Sequence, residues 1–211
     1  MQVLSRQRDI SLMNPWQPQV PGARTCCSTG MPRPARGFTL VELMVTLAVA
    51  AVLIMIAVPS FTNIILSNKL TTTANDIVGA INSARMEAVK LDADTQVCSD
   101  SAAINTSDTL GSECGVQTGA VVVLTGSGTA ATASVLLAAP PGIATPIQLS
   151  GDLMAVRFTG QGLAQAVGTS APYSGTIVDI CTSQISTYNH RKITMVAGSI
   201  LSTTSYSGAC P

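Results

Sequence analysis

Apolar residues fall into three regimes along the chain. The first is a continuous run at 43–58, LMVTLAVAAVLIMIAV, interrupted only by Thr46. With Phe38, Leu40 and Val41 in front of it, the run approaches the roughly 20 residues a helix needs to cross about 30 Å of hydrocarbon. The second regime begins beyond Pro59, where Leu70, Ala74, Ile77, Ile81, Ala84, Ala88 and Leu91 alternate spacings of four and three. That is one stripe along a helix, with Asn68, Lys69, Thr72, Asn75, Asn82, Arg85 and Lys90 on its other faces. Pro59 marks a kink or a local melting point between the two halves. A helix over 39–91 is expected, roughly 80 Å long at 1.5 Å per residue, its second half packed on a globular head.

In the third regime, from Thr95 onward, short β-favouring runs alternate with Gly, Ser and Pro. Strands are expected at 95–98, 120–125, 133–138, 146–149, 154–159, 163–167, 176–182, 193–196 and 200–203. Gly160-Gln161-Gly162 and Ala197-Gly198-Ser199 sit between strands as hairpin turns. The small, polar, Gly-rich segments 107–119 and 126–133 are expected to be mobile loops. One long helix against antiparallel sheet makes the fold class α+β.

Composition narrows the function classes. Only 10% of the 211 residues are charged, against about a quarter in globular proteins, which excludes a solvated, disordered or nucleic-acid-coating chain. The net charge of zero hides an asymmetry. Residues 1–37 carry five Arg against Asp9, a balance of +4, and the remaining six Lys or Arg against ten Asp or Glu give −4. An acidic remainder lacks the footprint of a duplex or RNA binder. The length allows one membrane segment and one modest domain.

A basic stretch before an apolar one is also how a secretory signal reads. Three details oppose it: the apolar run exceeds the usual 7 to 15 residues of such signals, no small-x-small site follows before Pro59, and a carboxylate, Glu42, stands at its start. An ionisable group at membrane depth costs at least about 2.5 kcal/mol on insertion scales and calls for a partner.

The segment RGFTLVELMVTLAVAAVLIMIAVPSF at 36–61 resembles the N-terminus of type IV pilins and type II secretion pseudopilins. The likeness combines a basic residue and Gly37 before Phe38, Glu42 four residues on, the apolar helix and Pro59. It implies that a prepilin peptidase cuts after Gly37 and that the new N-terminus at Phe38 is methylated. It also implies that the Phe38 amine and the Glu42 carboxylate meet opposite charges on neighbouring subunits during assembly. Leaders in that family are short, so Met31, which leaves MPRPARG, is the expected start, and Cys26, Cys27 and Trp16 are then absent from the mature chain.

NKLTTTANDIVGAINSARMEAVK at 68–90 narrows the resemblance to the GspH/FimT branch, through Asn68 and Leu70, Ala74 and Asn75, and the stretch Ala84-Arg85-x-Glu87-Ala88. The resemblance implies a type IV pilin-like fold with a leader at 1–37 (1–30 a mis-start), a transmembrane or filament-core helix at 38–58, the amphipathic half at 59–92 and a β-rich periplasmic head at 93–211. The expected place is the bacterial inner membrane, single-pass, with prepilin peptidase and other major or minor pilins or pseudopilins as partners. The expected function is a structural or priming subunit of a type IV pilus, with a minor pseudopilin of a type II secretion system as the alternative.

Four cysteines in the head of an exported protein read as two disulfides with three pairings open. Cys98 with Cys114 and Cys181 with Cys210 each close a local loop, and such loops stabilise by about 3 kcal/mol each on the chain-entropy model. No C-x-x-C pair or His spacing supports zinc. Asp92 and Asp94 read as a solvated helix terminus rather than a cation site, and His190 as a solvated turn residue rather than a general base. No G-x-S-x-G elbow or P-loop occurs, and Gly126-Ser127-Gly128 lacks the following Lys. No enzyme activity, cofactor or metal is expected. Some FimT-like proteins bind DNA through a Gly-Arg-x-Arg motif near the C-terminus; here the hairpin reads Ala197-Gly198-Ser199-Ile200-Leu201, leaving Arg191 and Lys192 as weak candidate contacts and DNA disfavoured.

Overall fold

The computed structural model describes residues 37–211 apart from Val116 and Ser127. Residues 1–36 of the expected 1–37 leader, with Met31, Cys26, Cys27 and Trp16, lie outside the described residues. The chain divides into two units, Met1–Val45 and Thr46–Pro211. In the first, the described residues are Gly37 to Thr39, outside any helix or strand, and the opening of helix α1 (Leu40–Leu91). The rest of α1 and every strand belong to the second.

Helix α1 is helical through position 59. Its apolar stretch is long enough to cross a membrane, and that stretch is wholly unburied. Burial begins at Leu66 and then follows the stripe: Leu70, Ala74, Ile77, Ala80, Ile81, Ala84 and Ala88 are all buried. Leu91 departs from the expected stripe at 45% exposure, because α1 ends there and Asp92 turns the chain with φ +46°. Against this stripe lie two antiparallel sheets. One has the order β3-β2-β1-β5-β6, from β1 (Thr95–Val97), β2 (Val121–Thr125), β3 (Thr132–Leu137), β5 (Val156–Phe158) and β6 (Ala164–Ala166). The other has the order β4-β7-β8-β9, from β4 (Gln148–Leu149), β7 (Gly175–Cys181), β8 (His190–Val196) and β9 (Ile200–Tyr206). Val97, Val121, Val156, Phe158, Ile177, Ile180, Ile193 and Met195 close one core with the helix stripe.

The segment 107–119 is not a bare loop. It holds a short helix, α3 (Thr109–Cys114), preceded by the single turn α2 (Ala102–Asn105). Asp108 caps α3, its side chain accepting from the Gly111 N–H at 2.9 Å, which satisfies one donor the helix start leaves open. Leu110 and Cys114 then form a second apolar cluster with Cys98, Ala120 and Val122. Successive residues of a strand face opposite ways, so Val121 enters the main core while Val122 packs under α3. Gly111 is required at this crossing: a Cβ there would lie 1.9 Å from the Asn105 carbonyl oxygen. The segment 126–133 likewise includes a 3-10 turn at Gly128–Ala130 and the start of β3.

Candidate functional site

The N-terminal motif is held open. Phe38 is 84% exposed, and no atom lies within 4 Å of where a Gly37 Cβ would stand. Thr39 opens the helix, its Oγ1 accepting the Glu42 N–H at 3.2 Å and its carbonyl the Leu43 N–H at 3.1 Å. Thr39 thus caps the helix start through its hydroxyl, and the Glu42 carboxylate lies in the first turn, where the helix dipole favours negative charge. The spacing T-x-x-E was visible in the sequence as a cap and went unread there.

His190 overturns its expected place. It is the first residue of β8, not a turn, and is 1% exposed. Register explains why. His190 stands opposite Cys181 on β7 and Tyr206 on β9, and Asp179 lies two residues from Cys181 on the same face. The imidazole stacks on the Tyr206 ring with centroids 4.5 Å apart, and Nδ1 lies 3.2 and 3.3 Å from the two Asp179 carboxylate oxygens. An ionised carboxylate only accepts, so Nδ1 donates. The Tyr206 hydroxyl donates to the same carboxylate. Burial, then the bond to Asp179 and its charge, push the Tyr206 hydroxyl up to about 12. Nε2 of His190 is buried with no partner among the described residues. The C-terminal tail covers this face: a Gly208 Cβ would come within 3.1 Å of Nε2.

Arg191 points the opposite way and is also buried, at 7% exposure. Its Nε donates to Thr71 Oγ1 (3.3 Å) and its Nη2 to Ser67 Oγ (3.1 Å), both on α1, while Nη1 donates to the carbonyls of Tyr188 and His190. Burial lowers its pKa. Lys192 is half-buried and sits over the Tyr206 ring, 5.0 Å from its centroid. The two cations that sequence grouped as a basic cluster therefore leave the strand on opposite faces, and one is spent inside the fold.

Arg85 acts at the other end of the same hairpin. Its Nη2 donates to the carbonyls of Gly198 (3.1 Å) and Ser199 (2.9 Å), and the guanidinium lies 5.3 Å from the centroid of Phe158. This gives the Ala84-Arg85-x-Glu87-Ala88 stretch a physical role: it fixes the β8–β9 turn to the helix. Arg157 donates to Gln96 Oε1 (2.6 Å) and Asp108 Oδ2 (2.7 Å). Burial alone would raise the Asp108 carboxyl, but the Gly111 N–H and the Arg157 guanidinium together hold it below its ordinary range.

The structure joins Cys98 to Cys114 and Cys181 to Cys210. The first ties α3 to the strand end after β1, and the second ties the tail beside His190. Among the described residues, no group of three or more His, Cys, Asp or Glu is placed to hold a metal ion. Asp92 and Asp94 stand at the end of α1, exposed and half-buried respectively.

Two family models match the chain. The prokaryotic N-terminal methylation motif matches residues 32–58, and the type II transport protein GspH matches residues 73–198. No curated protein and no solved structure gives a significant match.

Proposed function

Because the chain belongs to the family of the type II transport protein GspH, and is thereby a minor pilin or pseudopilin, we propose that it serves a type IV pilus as a FimT-like structural or priming subunit. The observation behind the subunit class, common to pilus and secretion assemblies, is the joining on one chain of a methylation motif at 32–58 to a segment matched over 73–198. Members of this family are structural subunits, and the function is mechanical. In this reading 1–37 is a leader, cut by prepilin peptidase between Gly37 and Phe38. The segment 38–58 anchors the subunit once in the inner membrane, 59–92 carries the head, and 93–211 lies in the periplasm. The free space around Gly37 supports the cut, since a peptidase must reach the backbone there.

Glu42 would then pair with the methylated amine of a neighbouring subunit. Two charges that meet lower the cost of holding both in hydrocarbon and set the register of docking. The lean toward the pilus rests on the two disulfides of the head, one of them closing over the final hairpin. The description of the matched head favours the second reading, a type II secretion pseudopilin. DNA reception finds little support, with Arg191 bonded inside the fold and no Arg at 197–201. Deleting the gene decides between the two main readings: loss of surface pili with secretion intact is expected, and lost secretion with pili retained would overturn the pilus assignment. A secretin and a secretion ATPase among the flanking genes would weigh the same way.

A further inference from the structure

The β7–β8 loop, residues 182–189, meets α1 just beyond its apolar stretch. Between them lies an open groove of about 570 Å³. Asn63, Ser67 and Asn68 of α1 and Ser183, Gln184 and Thr187 of the loop line it with hydroxyls and amides, and no carboxylate does. Tyr188 forms one lip and is 65% exposed. Its backbone is in the left-handed region at φ +49°, sparsely populated for a residue with a Cβ and sustained only when the surroundings impose it. Here they do. The Tyr188 N–H donates to Ser207 Oγ at 2.8 Å, and its carbonyl accepts from Arg191, which is itself bonded to Ser67 and Thr71 of α1. The fold thus fixes the loop to the helix and turns an aromatic ring outward.

The position along α1 says what the ring meets. Exposed Phe61, Ile64 and Ile65 continue the apolar surface past Val58, now interleaved with Ser60, Thr62 and Asn63. Asn63 and Asn68, the two ends of the groove on α1, follow Val58 by roughly 8 and 15 Å of helix at 1.5 Å per residue and bracket Ile65, where that exposed apolar surface ends; a headgroup layer is about 5–8 Å deep on each side of the hydrocarbon. Tyr is favoured at that depth, ring inward and hydroxyl in water.

We propose that the β7–β8 loop is a membrane-resting foot of the unassembled subunit, with Tyr188 seated among the phospholipid headgroups and the Asn63–Gln184 groove receiving their polar groups. The proposal rests on the reading of 38–58 as the anchor. Its occupant is lipid because the surface is continuous with the unburied apolar helix and its polar part carries donors without acids. The opposite end of the β8–β9 hairpin, held by Arg85, stands roughly 27 Å further along α1, taken from Ser67 to Arg85, clear of the bilayer.

The test uses one reporter. The sequence has a single Trp, Trp16, so the full chain carrying Trp16→Phe and Tyr188→Trp has one indole, at position 188. Trp16→Phe with Ile200→Trp is the comparator, since Ile200 is equally exposed, at 65%, at the far end of the hairpin. Both are reconstituted into phosphatidylethanolamine–phosphatidylglycerol vesicles carrying lipids brominated near the ester end or near the chain terminus. Flotation with the vesicles is expected, with quenching at position 188 by the shallow bromines at least twofold stronger than by the deep ones and than at position 200. Flotation with equal quenching at 188 and 200 would overturn the foot while leaving the anchor standing. Failure to float would overturn the anchor and the foot together. A blue shift at 188 that grows with protein-to-lipid ratio, without bromine quenching, would assign the groove to a neighbouring subunit and overturn the lipid assignment.

Discussion

Tyr206 donates to Asp179, a buried carboxylate that also takes a donor from His190. Tyr206→Phe leaves it one donor short, and destabilisation of about 1–3 kcal/mol is expected by urea titration. The pH dependence has a defined sign. The folded hydroxyl is raised from an ordinary value of 10.0 to about 12, so the neutral form is favoured by folding. Its contribution is complete below pH 10 and is lost as pH rises toward 12. Chemical denaturation across that window should show wild type weakening more steeply than Tyr206→Phe; parallel curves would show that the hydroxyl is not coupled to folding. At Glu42 the helix-dipole and the assembly role predict different outcomes. If the carboxylate only interacts with the helix dipole, Glu42→Leu costs about 1 kcal/mol or less. If it pairs with a neighbour's amine, the loss of one partner costs about 3 to 5 kcal/mol, enough to lower incorporation a hundredfold or more. The variant should be stable in the membrane yet missing from sheared filaments and from crosslinks to other subunits, and wild-type levels there would sink the docking role.

Elements differ in how far local pattern specifies them. The nine strands among the described residues were readable, although β8 begins three residues before its expected start, since β-branched runs and Gly or Pro breaks are local, and so was the helix stripe from Leu70 to Ala88. Helix α3 was not, because its apolar content is one buried Leu and a Cys, and its existence depends on Val122 and Cys98 arriving from distant strands. His190 was misplaced for the same reason. Its neighbours Asp179 and Tyr206 are 11 and 16 residues away and meet it only through β7–β8 and β8–β9 register. Replacing both Cys98 and Cys114 with Ser tests the α3 region. The loss should be about 3 kcal/mol, lowering the melting temperature by roughly 6–12 °C, and the wild type in reductant should approach the variant. Arg85→Ala frees two carbonyls of the β8–β9 turn and should cost about 1–3 kcal/mol, with faster amide hydrogen exchange at 197–200 than at 121–125. Uniform change across both segments would argue that Arg85 does not act through the turn.

For the whole molecule, processing is the first requirement. If Gly37 and Phe38 form the proposed junction, Gly37→Val puts a branched side chain there, and an uncut precursor retained with the inner membrane is expected by mass spectrometry, against a wild-type chain beginning at methylated Phe38. Normal maturation of the variant would move the junction elsewhere. A wider consequence follows from the two arginines that tie the β8–β9 hairpin to α1, Arg191 at its base and Arg85 at its tip. Any subunit drawn upward by its helix while its head meets drag is pulled along the axis that these ties and the buried stripe share. The load then spreads over both contacts in shear instead of peeling them one after another. Separation under such tension is a matter of rate rather than equilibrium, so how long the head holds through a brief tug is set by its unfolding rate and not by its equilibrium stability.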